Sequence, residues 1–295
     1  MKRIKISLGI VLVLSLATGC SSKLAYNNLD WLAARWIDRQ VSLDRDQREL
    51  VSDHVEAQQR WHCATQLDAY KVWLEEVRLD LLKDQLDRRR LVEHGEQLAV
   101  FASRLAEQSE PLLVDLAASF NDQQVEAVVL ELDERIEKLR DEIASRSADQ
   151  WAIDRVEGME RRLSRLMGPL NPRQRERLEQ WAAELVATHP YQLTQRQYWR
   201  DRIVDALERR TERGFMAAEV QALLAPSSVW PEDYRQAIEH NRELTLDALE
   251  DLFGLIESRQ RNRISARLAR LENDVERLSC SGDAAPALLA GTGSG

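Results

Sequence analysis

The residues whose chemistry this sequence specifies best are its three cysteines. Cys20 ends a run of small residues near the N-terminus, whereas Cys63 lies in the body of the chain and Cys280 close to its end. In an oxidising compartment Cys63 and Cys280 can form a disulfide, which would close a long loop and stabilise the fold by about 5 kcal/mol in the chain-entropy model. The alternative is two unrelated thiols, with Cys63 buried and Cys280 in a loose tail.

Histidines and the common catalytic motifs provide no comparable signal. No two histidines have the spacing of metal ligands on one helix face, and no glutamate precedes a histidine by three residues. Patterns such as G-x-S-x-G and the P-loop do not occur. We therefore expect no catalytic residues, no metal, no cofactor and a non-enzymatic role. An envelope hydrolase with an unrecognised site is the alternative. The histidines are His54, His62, His94, His189 and His240.

The N-terminus has the composition of a secretion signal. Lys2, Arg3 and Lys5 form a cationic start, and residues 6–16 are apolar apart from two serines and a glycine. This apolar run is shorter than the ~20 residues that a helix needs to cross a membrane. We therefore predict a signal peptide over residues 1–19 rather than a permanent transmembrane helix.

The run from Leu16 to Cys20, LATGC, resembles the bacterial lipobox, with Ala17 at the position where leucine is commonest. The resemblance implies that a diacylglycerol is attached to the Cys20 thiol and that cleavage just before it removes residues 1–19. Palmitate and other acyl chains would then anchor the lipoprotein stably. Ser21, in place of aspartate, implies sorting to the cell outer membrane, with the body facing the periplasm. The alternative is an ordinary signal peptide and an incidental cysteine.

The charge of the chain argues against nucleic acid as a partner. The chain contains 41 basic and 50 acidic residues, and loss of the three cations in the signal peptide leaves 38 against 50, a net charge of −12. Charges of both signs are interleaved, which is typical of solvated helix faces. The partners that we expect are the membrane, through the anchor on Cys20, and an unidentified envelope protein, peptide or lipid.

The body of the chain has the pattern of long helices. Between residues 23 and 278 there are only five glycines and six prolines, and no segment alternates with the two-residue period of a strand. Apolar residues instead recur every three or four positions over residues 125–143 and 264–278. We predict an all-α fold, an elongated bundle or curved stack of long amphipathic helices, as one domain over residues 20–278. Residues 279–295 are predicted to be a disordered tail.

Three helix starts share a local pattern. An apolar residue precedes Asp44, Asn121 or Asn171, each of which can cap the first turn of a helix. A glutamine follows each cap by three residues and can accept a hydrogen bond from the N–H of the cap, as in a capping box. A looser version that ends at Gln260 either precedes the last helix or lies inside a continuous one. The three glutamines are Gln47, Gln124 and Gln174.

The eight tryptophans are numerous for a chain in which only 6% of residues are aromatic. Most stand at positions compatible with an apolar helix stripe, so we expect them to anchor the core, with the indole N–H bonded to a carboxylate or a carbonyl. The alternative is that they line a groove for a peptide or a lipid. They are Trp31, Trp36, Trp61, Trp73, Trp151, Trp181, Trp199 and Trp230.

The densest group of aromatic and polar residues begins six residues after Cys20. We interpret it as a candidate membrane-proximal or binding cluster, because tryptophan and tyrosine favour membrane surfaces. The same stretch could instead be the first helix of the bundle, with Asp30 and Asp38 paired to arginines. The cluster comprises Tyr26, Asn27, Asp30, Trp31, Trp36 and Asp38.

This cluster and the residues that follow it resemble an uncharacterised family of proteobacterial lipoproteins, known only as a domain of unknown function. The resemblance covers nearly all of the chain between the signal peptide and the tail. It implies a lipoprotein address and a helical fold, but no activity. Cys63 departs from the pattern, so the resemblance does not support the disulfide. The matching positions are Ala25, Tyr26, Asn27, Asp30, Trp31, Trp36, Asp38, Leu43, Gln47, Trp61, His62, Thr65, Leu67 and Tyr70.

The helix starts with glutamine also resemble the LTxxQ motifs of the Spy/CpxP periplasmic chaperones. The glutamine and the leading apolar residue carry this resemblance, and capping physics favours both residues as well. The resemblance makes a periplasmic chaperone a further alternative. Our leading hypothesis is a lipid-anchored helical protein that binds another envelope component.

Overall fold

The structure, a computed structural model, describes residues 21–278. The predicted signal peptide, the predicted anchor Cys20, and the predicted tail with Cys280 lie outside the described residues. Within the described range there is no β-strand, and the predicted all-α helical bundle is confirmed. Besides one short 3-10 helix, Pro226–Val229, the range contains α1 (Ser21–Asn27), α2 (Leu29–Asp38), α3 (Arg45–Thr65), α4 (Leu67–Leu82), α5 (Arg88–Ser119), α6 (Asp122–Ser145), α7 (Ala148–Met167), α8 (Pro172–Glu184), α9 (His189–Glu208), α10 (Arg213–Leu224), α11 (Glu232–Gly254) and α12 (Ser258–Leu278).

The two apolar stripes predicted from the sequence face the core. Ile136 and Leu139 are buried in α6. In α12, Ile264, Leu268 and Val275 are buried. Spacings of three or four residues place these side chains on one side of each helix, where they can pack against neighbouring helices.

Helix α5 is the longest, with 32 residues and a length of about 48 Å. Helices α3, α10 and α11 pack against it. Helix α12 lies along α4 and also contacts α1 and α7, while α9 packs on α6, and α8 packs on α7 and α11. The largest group of buried apolar side chains fills the space among α4, α7, α8, α11 and α12, and includes Leu74, Met167, Leu178, Leu252 and Leu268.

The three predicted helix caps are confirmed. The Asp44 carboxylate accepts a hydrogen bond from the Gln47 N–H at 2.8 Å, and the Asp44 N–H donates to Gln47 Oε1 at 3.0 Å. Each capping box satisfies two polar groups that a helix start would otherwise leave unpaired. The same reciprocal bonds join Asn121 to Gln124 and Asn171 to Gln174.

The looser fourth pattern also starts a helix. Helix α11 ends at Gly254 and α12 begins at Ser258. The N–H of Glu257 donates to Gln260 Oε1 at 3.1 Å. The alternative in which this stretch lies inside a continuous helix is therefore wrong.

The four glutamines at these helix starts meet in two pairs, which we call the glutamine pairs. Gln47 Nε2 donates to Gln124 Oε1 at 3.0 Å, and Gln124 Nε2 donates back to Gln47 Oε1 at 2.6 Å. Gln174 and Gln260 exchange the same two hydrogen bonds at 3.1 and 2.9 Å. The first pair therefore joins the start of α3 to the start of α6, and the second joins the start of α8 to the start of α12.

Both glutamine pairs are buried and fully hydrogen-bonded. No more than 6% of any of the four residues is exposed. Each side-chain amide also donates to a backbone carbonyl just before the partner helix. A buried amide without partners is costly, so this arrangement of helix starts is favoured over arrangements that separate the pairs. The accepting carbonyls belong to Ser119, Ser42, Leu255 and Pro169.

Gly168 shapes the loop that leads from α7 into α8. Its φ of 91° lies in the left-handed region, which glycine adopts without strain. A Cβ atom at this position would also collide with the Arg263 guanidinium. The loop carries Pro169, whose carbonyl accepts the hydrogen bond from Gln260. Glycine at this position therefore supports the second glutamine pair.

We expect the replacement Gln174→Ala to lower the free energy of unfolding by about 2 to 3 kcal/mol, because it leaves the buried Gln260 amide without its partner. Gln174 is fully buried in the native fold. Urea denaturation followed by circular dichroism measures this change.

The matched control is Gln150→Ala. Gln150 completes a capping box with Ser147, but it is exposed and belongs to neither glutamine pair. Its loss is expected to cost only about 0.5 to 1 kcal/mol. Equal losses for Gln174→Ala and Gln150→Ala would show that the buried pair has no special role.

Candidate functional site

The predicted cluster near the N-terminus is divided between two sides of α1 and α2. Tyr26, Asp30 and Asp38 are half-buried, whereas Asn27, Trp31 and Trp36 are exposed. The half-buried residues contact α3 and the loop before it. The sequence left open whether this stretch is a bundle helix or a membrane-proximal surface. The structure makes it a bundle helix on its inner side and leaves its outer side uncovered.

Tyr26 connects α1 to α3. Its hydroxyl lies 3.1 Å from His62 Nδ1 and 3.3 Å from the carbonyl oxygen of Gln59. The Gln59 side-chain amide donates to the Tyr26 carbonyl at 2.6 Å. These contacts hold the first helix of the described chain against the body.

The two aspartates of the cluster also bond toward α3, but with different partners. The Leu43 N–H donates to Asp38 Oδ1 at 2.9 Å, and Arg48 Nε lies 3.5 Å from the same oxygen. Asp30 accepts a hydrogen bond of 3.3 Å from the Ser52 hydroxyl. The expected pairing with arginine is therefore confirmed for Asp38 and wrong for Asp30.

Only Trp181 is buried in the core as predicted for the tryptophans, and its indole N–H bonds to a hydroxyl instead of the expected carboxylate or carbonyl. Trp181 is 7% exposed, and its indole N–H donates to the Thr245 hydroxyl at 3.1 Å. Trp31 and Trp36 are 57% and 39% exposed, so a core role for these two is wrong. The sequence could not separate the two cases, because a helix side that is buried in the core and one that faces solvent can show the same spacing of apolar residues. The other five are half-buried, namely Trp61, Trp73, Trp151, Trp199 and Trp230.

A row of aromatic rings, which we call the aromatic row, runs from the end of α3 through α4 to α5. The ring centroids of His62 and Tyr70 are 5.3 Å apart, and those of Tyr70 and Phe101 are 4.5 Å apart. Trp73 continues the row, with its centroid 6.1 Å from that of Phe101 and 6.2 Å from that of His94. Tyr26 contacts the row through His62, so the row connects α1 to the middle of the bundle.

A buried ion-pair network lies at the α5 end of the aromatic row. Asp80 Oδ2 is 2.9 Å from His94 Nε2 and 2.7 Å from Arg90 Nε. Burial by itself would raise the pKa of the Asp80 carboxyl, but the hydrogen bonds from Arg90 and His94 outweigh it and hold the pKa below its usual value. Asp80 is therefore a charged acceptor that orients His94 and, through it, Trp73.

The rest of the aromatic row is held neutral by burial. Burial lowers the pKa of His62 to about 4. Burial also raises the pKa of Tyr26 to about 12, with a smaller contribution from Tyr70. The pKa of Tyr70 is likewise raised to about 12 by burial. At neutral pH these three side chains are therefore uncharged, and the hydrogen bond between Tyr26 and His62 joins two neutral groups.

Four buried polar atoms of residues 62–73 have no hydrogen-bond partner within the described chain. They belong to His62, Gln66, Tyr70 and Trp73, which follow one another at spacings of four, four and three residues. Such spacing places them along one side of the α3–α4 junction. Buried polar atoms of this kind are suited to ordered water or to a small hydrogen-bonding molecule. The atoms are His62 Nε2, Gln66 Oε1, Tyr70 Oη and Trp73 Nε1.

Other features of the described range that could bind a ligand are less pronounced. An open groove of about 530 Å³ lies between α8 and α11, and the ion pair between Arg177 and Asp251 spans it at 2.7 Å.

Residues 21–278 contain no group of three or more histidines, cysteines, aspartates or glutamates arranged to hold a metal ion. In the same range no helix combines the length and the apolar character needed to cross a membrane.

Cys63 lies next to the end of the last helix. Its Sγ is 3.4 Å from the carbonyl oxygen of Leu278, two residues before Cys280. Cys63 is disulfide-bonded. Its pairing with Cys280 in particular stays a prediction, supported by this proximity.

These features define residues 21–278 as an all-α bundle in which α1 and α2 are held to the body on one side and exposed on the other. The chain belongs to a family of unknown function (DUF6279), which matches residues 39–235, about two-thirds of its length. The predicted membership of an uncharacterised family is therefore confirmed. The match begins directly after α2, so the Tyr26 to Asp38 stretch precedes it, whereas the aromatic row lies inside it.

The other comparisons add no relative. No similarity to the Spy/CpxP chaperones is shown. A search of curated proteins and a search of solved structures find no match to the chain.

Several residues of the site were not singled out from the sequence. Leu24 and Leu32 extend the exposed side of α1 and α2, with exposures of 65% and 40%. Each of them lies seven or eight residues, or two helical turns, from another apolar residue. This spacing could have identified them from the sequence. Gln59 and Asp80 gave no such signal, because their roles depend on partners from other helices.

We expect the stability of the protein to fall as the pH drops from about 6.5 to 4, partly because of His62. An unfolded histidine binds a proton below a pKa of about 6.5, whereas the buried His62 stays neutral until the pH reaches about 4. Acid therefore favours the unfolded state, and the contribution of His62 to the loss is about 3 kcal/mol. In urea denaturation, His62→Gln should show a correspondingly weaker pH dependence over this range.

His240→Gln is the control for this experiment, because His240 is exposed on α11. It should leave the pH dependence of unfolding close to that of the wild type. If His62→Gln retains the full wild-type dependence, His62 is not held neutral in the native state.

We expect non-reducing electrophoresis of the chain that starts at Ser21 to show a faster band than the reduced chain. Cys63 and Cys280 are the only cysteines of this shortened chain, and a disulfide between them would make it more compact when unfolded. The shift should be absent in Cys63→Ser and in Cys280→Ser. Titration of two free thiols per wild-type chain under denaturing conditions would contradict the pairing.

Proposed function

We propose that the protein is an outer-membrane lipoprotein, anchored through a lipid on Cys20, whose helical body binds another envelope component in the periplasm. The observation that carries the proposal is the position of α1, which begins at Ser21, directly after the anchor residue. A body that is folded from this point on would be held at the membrane surface, because no flexible spacer separates it from the lipid.

The attachment of α1 to the body supports this arrangement. Tyr26 is hydrogen-bonded to α3 only six residues after Cys20, and α1 also contacts α12. Two separate helices therefore hold the segment that follows the anchor. The orientation of α1 at the membrane would therefore set the orientation of the whole bundle, because α1 is packed against the body.

An exposed apolar strip on α4 supports the binding role. Val72, Leu79 and Leu82 are 66%, 38% and 45% exposed. Val72 and Leu79 are seven residues apart and so lie on the same side of the helix. Helix α12 covers another side of α4. Grouped apolar side chains on an exposed helix surface are typical of a contact surface for a partner.

In cells grown with labelled palmitate, we expect the wild type to take up label and to fractionate with the outer membrane. Cys20→Ser should take up no label and should leave that fraction, because it lacks the thiol that carries the lipid.

A photoreactive amino acid in place of Val72 or Leu79 should capture one defined envelope component, identified by mass spectrometry.

The matched crosslinking position is Arg161, an exposed residue on α7 with 65% of its side chain accessible. It should not yield the same product. Equal palmitate labelling of the wild type and Cys20→Ser would refute the anchor. Identical products from Val72 and Arg161, or no product from either α4 position, would refute binding through α4.

A further inference from the structure

We infer that the outer side of α1 and α2 binds directly to the surface of a phospholipid membrane. This inference deepens the proposed function, on which it rests for the nearness of a membrane. We call this surface the N-terminal face, and it consists of Leu24, Trp31, Leu32, Arg35, Trp36 and Arg39.

The helical repeat brings together the members of the N-terminal face in α2 and Arg39, which follows its last residue with helical backbone angles. At 3.6 residues per turn, positions 31, 32, 35, 36 and 39 fall within one arc of about 140° around the helix. Each of these residues is exposed, with Trp31 and Leu32 at 57% and 40%. No aspartate or glutamate stands among them. On α2 the face is therefore one surface of apolar and cationic side chains.

The opposite side of α2 is already used by the fold. Ala34 is buried there, and Leu29 and Ile37 pack with it against Val51 of α3. The tertiary structure is thus complete without the N-terminal face. Two tryptophans and two leucines are left in water, which the packing of the bundle does not require.

The chemistry of the N-terminal face suits a lipid surface. Tryptophan favours the boundary between headgroups and acyl chains, and arginine pairs with lipid phosphates while its aliphatic stem covers apolar surface. The Arg35 guanidinium lies 5.5 Å from the centroid of the Trp31 ring, so the two can enter the boundary together. Arg39 adds a second cation one turn further along.

The place of this face in the chain favours a membrane over other occupants. It starts four residues after Cys20, the proposed lipid attachment site, so the anchor would bring it to the bilayer at high effective concentration. A second copy of the chain would instead bring Arg35 and Arg39 close to the same cations on its partner, which is unfavourable. Cations surrounded by tryptophan and leucine are the pattern of amphipathic helices that lie in the membrane surface.

The test uses the chain from Ser21 to Gly295, which carries no lipid but keeps every described helix. Vesicles contain equal parts of phosphatidylglycerol and phosphatidylethanolamine, and flotation measures binding. We expect the wild-type chain to float with the vesicles. Trp31→Ala/Trp36→Ala should weaken binding by about tenfold or more, since the tryptophans supply most of the buried apolar surface.

The matched apolar control is Leu130→Ala/Ile153→Ala. These residues lie on α6 and α7 with exposures of 58% and 56%, close to that of Trp31. This control should change binding by less than about twofold if the N-terminal face is the binding surface. Circular dichroism confirms that each variant keeps its helices.

A charge-reversal pair tests the contact with phosphate. Arg35→Glu/Arg39→Glu should weaken binding to these vesicles by about tenfold or more, because each cation near an anionic surface strengthens binding. Arg259→Glu/Arg270→Glu on α12, where both arginines are exposed, should have little effect. Vesicles of phosphatidylcholine alone should bind the wild type less tightly.

Vesicle binding that is equal in the wild type and in Trp31→Ala/Trp36→Ala would overturn the inference. A wild-type chain that does not bind vesicles would also overturn it. This holds equally if sedimentation shows that the face joins two copies of the chain instead. The anchor is tested separately by palmitate labelling. A labelled protein whose unlipidated chain ignores vesicles refutes this inference alone, whereas an unlabelled protein whose chain binds vesicles refutes the anchor alone.

Discussion

The need to satisfy buried side-chain amides at four helix starts governs how this bundle is assembled. Burying a glutamine in a core costs free energy unless its donors and its acceptor find partners. Here Gln47 and Gln124 satisfy each other, and Gln174 and Gln260 do the same. Each glutamine also closes its own helix cap, so local capping and long-range pairing use the same side chain. A shift of one helix start would leave both the cap and the partner amide unsatisfied.

The N-terminal segment depends on this framework. The first glutamine pair positions the start of α3, and α3 carries the residues that hold α1 and α2, including Ser52, Gln59 and His62. The inner side of the segment is therefore oriented by the bundle, and its outer side with Trp31 and Trp36 is oriented as a consequence. Burial keeps Tyr26 and His62 neutral, so the hydrogen bond that joins α1 to α3 is made between uncharged side chains.

Much of the fold could be predicted because its signals are local. The caps at Asp44, Asn121 and Asn171 involve residues only three positions apart, and capping physics is the same in any helical protein. Less of the candidate site could be predicted. The proximity of Tyr26 to His62 and of Asp80 to His94 arises from crossings between helices, and the roles of Trp31 and Trp181 differ because of which neighbour covers each helix side.

Local sequence patterns were enough to predict that the protein is helical, where several helices start, and that a thiol follows a segment with the composition of a secretion signal, since periodicity, capping and composition act over a few residues. The packing of the helices was needed to show that the cap glutamines meet in pairs, that Asp30 bonds to a serine, and that one side of α2 remains in water. These outcomes depend on which surfaces face each other across the bundle. Many helix arrangements share the same local pattern, and the satisfaction of buried polar groups selects among them.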